Sequence, residues 1–350
     1  MKLGIIGKPQ SGKTTVFNAA CGMHEAVGDY SQATHRAVIK VPDKRVDELS
    51  KLFNPKKTTY AEIEMLDAPG FSGKGKEASG LEISEDLKKM DSLMAVIDYF
   101  SPDARPEKDL QDLIDEMNLH DHAIVESNIS KNEKKAQLTG DKALGAVLTV
   151  LKKCLAVLEK EQPLIELALD DNEAKLIKNF TFMSLKPMLI VINISEDKLN
   201  ESSNIETQFA KFIKENKREV AVVCGSVEME LVGLEANEKR EFLDELGIAT
   251  PAVEQVIQKS YSLLGLQSFF TCGDPEVRAW TIKKGTNAQK AAGAIHSDIE
   301  RGFIRAEVVK YDDMMEHKSN AALKSAGKQR LEGKEYIVQN GDIILFRFNV

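Results

Sequence analysis

The stretch Gly7-Lys8-Pro9-Gln10-Ser11-Gly12-Lys13-Thr14 constrains this chain more than any other feature, because it fits G-x-x-x-x-G-K-[ST] in full. A short apolar strand pattern, Lys2 to Ile6, precedes it, and a helical pattern from about Lys13 to Cys21 follows. In that setting glycines let backbone N–H groups turn toward phosphate oxygens, and the helix directs its positive end at the same anion. The pattern assigns Gly7, Pro9, Gln10, Ser11, Gly12, Lys13, Thr14 and Thr15 to a phosphate cradle. Lys13 is expected on the β- and γ-phosphates and the Thr14 hydroxyl on Mg2+.

A metal site of this kind needs an acidic element. Asp67 ends the apolar run Ile63 to Leu66 and opens Asp67-Ala68-Pro69-Gly70, a D-x-x-G pattern. Asp67 is expected to hold the metal through a water, and the Gly70 amide to meet the γ-phosphate. The glycine-rich stretch from Gly70 to Lys76 has little with which to pack and reads as a switch. Thr34 or Ser31 is a candidate to complete the metal shell. Phe71 stands where many GTPases place a water-orienting glutamine, so hydrolysis is expected to be slow or assisted by a partner.

Guanine is usually read by Asn-Lys-x-Asp after a buried strand, and here the corresponding run is Asn193-Ile194-Ser195-Glu196. The lysine is missing and glutamate is one methylene too long. The expectation is ATP over GTP, with the Asn193 amide on the adenine N6 or N7 edge and Ile194 against the ring. A conventional GTPase is the competing reading.

The apolar runs at Ser92 to Ile97, Met188 to Ile192 and Val220 to Val223 suit strands buried on both faces of a mostly parallel sheet. Val38 to Val41 and Ala61 to Leu66 add further strands. About 90 residues separate the Leu93–Ile97 and Leu189–Ile192 runs, far more than one crossover needs. Helical periodicity over 106–131 and 143–158 predicts an inserted antiparallel hairpin, joined by the polar segment Asn132 to Asp141, whose two apolar stripes pack on each other. After Leu266 the pattern becomes α+β, with strands at Ala279 to Ile282, Tyr336 to Val338 and Asp342 to Phe348 around a helix at Asn287 to Ser297. The fold class is thus α/β. Its domains are a nucleotide-binding domain of mostly parallel sheet (1–100 and 185–266), an inserted α-helical hairpin (101–184) and a C-terminal domain (267–350).

Net charge over the 350 residues is −8, which excludes a basic nucleic-acid coat at whole-chain level. The balance is uneven: 13 Lys and Arg stand against 11 Asp and Glu from Gln267 to Val350, but 11 against 16 from Ser101 to Ser184. Cys21, Cys154, Cys224 and Cys272 lie far apart without metal-ligand spacing, and each is expected to be a buried small hydrophobe. No run of 18 apolar residues occurs and the start passes straight into a strand, so the expected location is the cytoplasm, with no membrane contact and a monomer as the default.

Taken with Val41-Pro42-Asp43-Lys44-Arg45, Lys186-Pro187, Phe269-Phe270-Thr271, Val277-Arg278-Ala279-Trp280-Thr281, Ala291-Ala292-Gly293 with Ile295-His296, and Arg330 through Tyr336, the chain resembles the Obg-like ATPases of the YchF type over nearly its whole length. The resemblance implies a P-loop G domain, a coiled-coil hairpin and a C-terminal TGS domain of β-grasp type. It also implies ATP hydrolysis in preference to GTP and association with the ribosome, with a link to stress responses, and it leaves K+ assistance open. The motif match carries over Lys13, Thr14, Asn193 and Ile194 as ligand contacts. The loop Ser101-Pro102-Asp103-Ala104-Arg105 departs from the family, being short and lacking the histidine proposed to assist hydrolysis. His120 and His122, on the helix beyond, are expected to be packing or surface residues, as is His296. A nucleotide-gated ribosome- or RNA-binding module with negligible turnover therefore competes with the slow ATPase. Arg278, Lys283, Lys284, Arg301 and Arg305 are candidates for RNA contact through the C-terminal domain, set against the plainer reading of such charges as solvated surface, with Trp280 read as core.

Overall fold

The computed structural model describes residues 2–23, 35–67, 83–213 and 217–349. In chain order, β1 (Lys2–Ile6) leads into α1 (Lys13–Cys21), followed by β2 (His35–Lys40), α2 (Lys44–Phe53), the two-residue β3 (Thr58–Thr59) and β4 (Glu62–Asp67). Next come β5 (Ser92–Tyr99), α3 (Pro106–Thr139), α4 (Lys142–Leu158), β6 (Met188–Ile194), β7 (Arg218–Val223) and the short α5 (Gly225–Glu230). The remainder holds α6 (Ala252–Leu263), β8 (Leu266–Cys272), β9 (Val277–Lys283), α7 (Ala288–Ile295), β10 (Phe303–Lys310), β11 (Arg330–Glu332) and β12 (Asp342–Phe348).

Two compact units form, one of Met1–Ala37 with Glu64–Val256 and one of Val38–Ile63 with Ile257–Val350. This grouping differs from the expected domains in two respects. The hairpin belongs to the first unit, and residues 38–63 belong with the C-terminal ones.

In the first sheet the order is β2-β4-β1-β5-β6-β7, and β1 runs parallel to both β4 and β5, β5 to β6 and β6 to β7. Every residue of β6 is buried, as a strand covered on both faces requires. The chain leaves β1 at the centre of the sheet, so the loop before α1 sits at the carboxyl ends of the strands, where α/β sheets bind ligands.

The insertion differs from expectation in two ways. Helix α3 runs 34 residues to Thr139, so the segment from Asn132 is mostly helix and the turn shrinks to Gly140 and Asp141. Its Glu, Lys, Ala and Gln are good helix formers. Gly140 stops the helix in the left-handed conformation, and Asp141 Oδ1 caps α4 by accepting from the N–H groups of Ala143 (2.9 Å) and Leu144 (3.1 Å). The apolar stripe of α3 is also divided. Leu110, Leu113, Ile114 and Met117 join the sheet core with Ile97, Ile190 and Ile192, and the later Val125, flanked by the partly buried Ile124 and Ile129, packs with Val150, Leu151 and Cys154 of α4.

The second sheet has the order β11-β10-β12-β8-β9-β3, with β12 parallel to β8 and most other pairs antiparallel. Its last strand comes from early in the chain: Thr58 and Thr59 pair parallel with Val277 and Arg278. Helix α7 lays Ala288, Ala291 and Ala292 on a core of Phe269, Phe303 and Phe346, whose rings meet edge to face at 5.8 and 6.0 Å. Trp280 lies only at the core margin: its Nε1 donates to Thr271 Oγ1 (2.9 Å) and the Arg278 guanidinium stacks 3.9 Å from its ring. Tyr336–Val338 is no regular strand, because the Tyr336 hydroxyl is drawn to Asp342 (2.7 Å) and Arg330 (3.0 Å), leaving one isolated bridge from Ile337 to Asn287. Cys154 and Cys224 are buried, but Cys21 and Cys272 are only partly so. Among the described residues no helix is long and apolar enough to cross a membrane.

Candidate functional site

The loop from Gly7 to Gly12 has its shape imposed by close contacts. A Cβ on Gly7 (φ +149°) would lie 2.3 Å from the Val96 carbonyl oxygen, and one on Gly12 (φ +89°) 2.1 Å from Asn193 Nδ2. Gly12 occupies the N-cap of α1 without a side chain to bond the first-turn amides, which leaves those donors facing the loop's concavity. Lys13, 9% exposed, folds back across the loop and donates from Nζ to the carbonyls of Lys8 (2.8 Å) and Gly7 (3.1 Å). These are bonds a triphosphate's oxygens can replace.

Thr14 Oγ1 donates to Asp67 Oδ2 at 2.8 Å, which brings the end of β4 to the first turn of α1. Asp67 is 4% exposed, and burial pushes its carboxyl above the usual range while the Thr14 hydrogen bond and the Lys13 charge work against that shift. Burial lowers Lys13, countered by Asp67. Thus a buried cation and a buried carboxylate stabilise each other's ionised forms at the start of α1. Among the described residues no cluster of three or more His, Cys, Asp or Glu is placed to hold a metal.

Asn193 and Ile194 sit differently from expectation. Asn193 is 4% exposed; its Nδ2 donates to the Ser11 carbonyl (3.1 Å) and its Oδ1 accepts from Gly225 N–H (3.0 Å). Both amide atoms are thus committed to protein, tying β6 to the phosphate loop and to the start of α5. Ile194, 2% exposed, packs its side chain into the sheet core, so neither side chain presents itself to a base. Gly70, Phe71, Ser31, Thr34 and the Gly70–Lys76 switch lie outside the described residues.

Of the remaining loop positions, Pro9 and Gln10 are exposed and Thr15 is half-buried, its Cγ2 beside Gly225. Ser11 is 2% exposed and its Oγ has no partner among the described residues. It borders a cavity of about 110 Å³ lined also by Lys8, Asp98 and Asp109, room for a few waters and not for a nucleotide.

Two residues here escaped the sequence reading. Lys8 Nζ reaches Asp109 Oδ1 and Asp112 Oδ2, each at 2.7 Å, fastening the loop to the first turns of α3. Phe100, 39% exposed, places its ring edge 3.9 Å from where a Gly12 Cβ would be. An aromatic stranded in water at the end of a buried strand was the available signal for it. His120 pairs with the buried Asp121 (3.1 Å) and His122 lies 4.0 Å from Glu126, both on α3, while His296 Nδ1 caps a short helix by accepting from Asp298 N–H (3.2 Å).

Residues 2–138 match the family model described as 50S ribosome-binding GTPase, and residues 266–349 match the YchF GTPase C-terminal model, described as a protein of unknown function. The ribosome-binding ATPase YchF of Bacillus subtilis (strain 168) is 39% identical over 363 residues, covering 99% of each chain. That of Haemophilus ducreyi is 37% identical over 362 residues, covering 100% of this chain and 99% of its own. The solved structure of the Schizosaccharomyces pombe YchF GTPase is similar with a TM-score of 0.84 and 28% identity over 99% of this chain and 97% of that one. A shared phosphate loop would not extend likeness across both units from end to end, and the chain belongs to the YchF family.

Proposed function

We propose that this protein is a Mg2+-dependent ATPase that binds the ribosome and uses nucleotide occupancy as a switch. The observation that carries this reading is the contact of Thr14 Oγ1 with Asp67 Oδ2, with Lys13 Nζ spanning the same loop. Two oxygens this close at a helix start, beside a buried lysine, suit a hard cation that keeps most of its waters together with the phosphates it accompanies. Thr14 would bind Mg2+ directly and Asp67 through a water, while Lys13 exchanges its two carbonyl partners for phosphate oxygens. The curated relatives are named ribosome-binding ATPases, which supports the same activity and partner here, and with them a cytoplasmic location.

Preference for ATP follows from what the pocket lacks. Ile194 and Glu196 replace the lysine and aspartate that would grip guanine, and the exposed face of Phe100 offers an apolar wall. Asn193 contributes by holding the loop. Turnover by the free protein is slow, since no histidine occurs in Ser101–Arg105 and Phe71 cannot orient a water. The test is phosphate release from ATP and from GTP, with and without Mg2+ and purified ribosomes. The expected result is ATP turnover that needs Mg2+ and rises with ribosomes; equal use of GTP refutes the base preference, and turnover in chelator refutes the metal assignment.

A further inference from the structure

The far end of the helical hairpin carries a row of cations that have no ion-pair partner among the described residues. Lys131, Lys134, Lys135 and Leu138 stand at i, i+3, i+4 and i+7 on α3, hence on one face, and all four are exposed. Asn132, Glu133 and Ala136, between them in sequence, are half-buried on the side toward α4, where Glu133 pairs with Lys152 at 2.6 Å. Lys142, exposed at the first position of α4, stands just past the Gly140–Asp141 turn. Among the described residues none of the four lysines has an ion-pair partner. Both acids of residues 131–142 are engaged, Glu133 by Lys152 and Asp141 as the α4 cap.

This placement runs against the local composition. The 101–184 segment holds 11 cations against 16 anions, yet four of its cations gather here unpaired at the point farthest along α3 from the loop. Leu138, 87% exposed, closes the row, the most water-exposed large apolar side chain among the described residues. By contrast, two of the candidate RNA-contacting cations in the C-terminal unit are already engaged, Arg278 over Trp280 and Arg301 with Asp298.

We propose that this tip is a docking surface for RNA, its lysines contacting backbone phosphates. Side chains three and four apart on a helix lie about 5–6 Å from one another, so a row of ammonium groups meets successive backbone charges together. Exposed lysines without an ion-pair partner among the described residues suit sequence-independent phosphate contact, in which released counterions supply the free energy. A lone exposed leucine is too little apolar surface to insert into a lipid bilayer. The tip is also insulated from the chemistry: Asp109, beside Lys8, and Lys135 are about 39 Å apart along a straight helix rising 1.5 Å per residue.

The proposal rests on the ribosome-binding reading, and the experiment separates the two. Full-length wild type, the variant Lys131→Gln/Lys134→Gln/Lys135→Gln/Lys142→Gln and the corresponding all-Arg variant are titrated with purified Bacillus subtilis ribosomes at several salt concentrations. Far-UV circular dichroism and ATP affinity serve as controls. The Gln variant is expected to keep wild-type helicity and ATP affinity but to bind weakly, with the slope of log affinity against log salt reduced by about 3, the loss of four phosphate contacts. The Arg variant is expected to bind as wild type does. Unchanged affinity and slope in the Gln variant overturn the proposal alone. Weaker binding with an unchanged slope overturns RNA as the occupant in favour of a protein surface. Wild type that fails to bind ribosomes refutes the ribosome reading and the proposal with it.

Discussion

Asn193→Ala separates holding the phosphate loop from reading the base. In the structure this amide spans Ser11 and Gly225, 182 and 32 residues away in sequence, in a site only 4% exposed. Truncation removes both hydrogen bonds and leaves the Gly225 N–H buried without an acceptor. An unpaired buried donor costs about 1–3 kcal/mol and each lost bond about 1 kcal/mol net, so the variant is expected to lose about 2–4 kcal/mol of stability. Because Ser11 belongs to the loop, part of that loss appears as weaker phosphate binding, about 10- to 100-fold for each 1.4–2.8 kcal/mol that reaches the bound state. The loss should be the same for ATP, GTP and inorganic tripolyphosphate. Isothermal calorimetry with the three ligands, beside urea unfolding, measures both quantities. If ATP binding falls tenfold or more while GTP and tripolyphosphate are unaffected and stability is unchanged, the amide reads adenine and the bracing argument is wrong.

Other perturbations follow from the same contacts. Gly12→Ala places a methyl group 2.1 Å from Asn193 Nδ2 at a backbone φ of +89°, so nucleotide binding should be lost together with part of the thermal stability; wild-type affinity would refute this. Asp121, wholly buried, accepts from Met183 N–H (3.0 Å), Ser184 N–H (2.7 Å) and Ser184 Oγ (2.7 Å), so Asp121→Ala strands three donors and should cost about 3–5 kcal/mol in denaturant unfolding. A loss under 1 kcal/mol would show that the base of the hairpin is held by its apolar contacts alone. Burial raises the Glu228 carboxyl above its ordinary 4.5, opposed by the N–H groups of Ala252 and Val253. Its protonated form therefore adds stability below about pH 4.5, and that contribution is lost as pH rises through the raised folded value. Glu228→Gln should remove this pH-dependent component, and a wild-type-minus-variant difference that stays constant with pH contradicts it.

Contiguous features were legible before any coordinates. Helix α1 runs from Lys13 to Cys21 as its pattern demanded, and β6, an unbroken apolar run, is buried along its whole length. Lys13, Thr14 and Asp67 meet because two strands of one parallel sheet end side by side. What escaped was non-local or context-dependent. The stripe of α3 reads the same whether it faces a sheet or a helix, yet its first half went to the sheet and its second half to α4. Thr58 and Thr59 carry no mark of their partner strand, which lies more than two hundred residues later.

The sequence by itself determined the phosphate loop, the parallel α/β class and the helical insertion, since each is a local pattern of backbone freedom and hydrophobic period. Only the tertiary structure decided which polar atoms are used up. Asn193 looks like a base-reading residue in sequence, and folding spends its two hydrogen-bonding ends on Ser11 and Gly225. Lys8 looks like a free loop cation, and folding anchors it to Asp109 and Asp112, while Lys131, Lys134, Lys135 and Lys142 have no ion-pair partner among the described residues. A side chain's availability depends on what chain packing brings within about 3 Å, a distance that sequence separation does not encode.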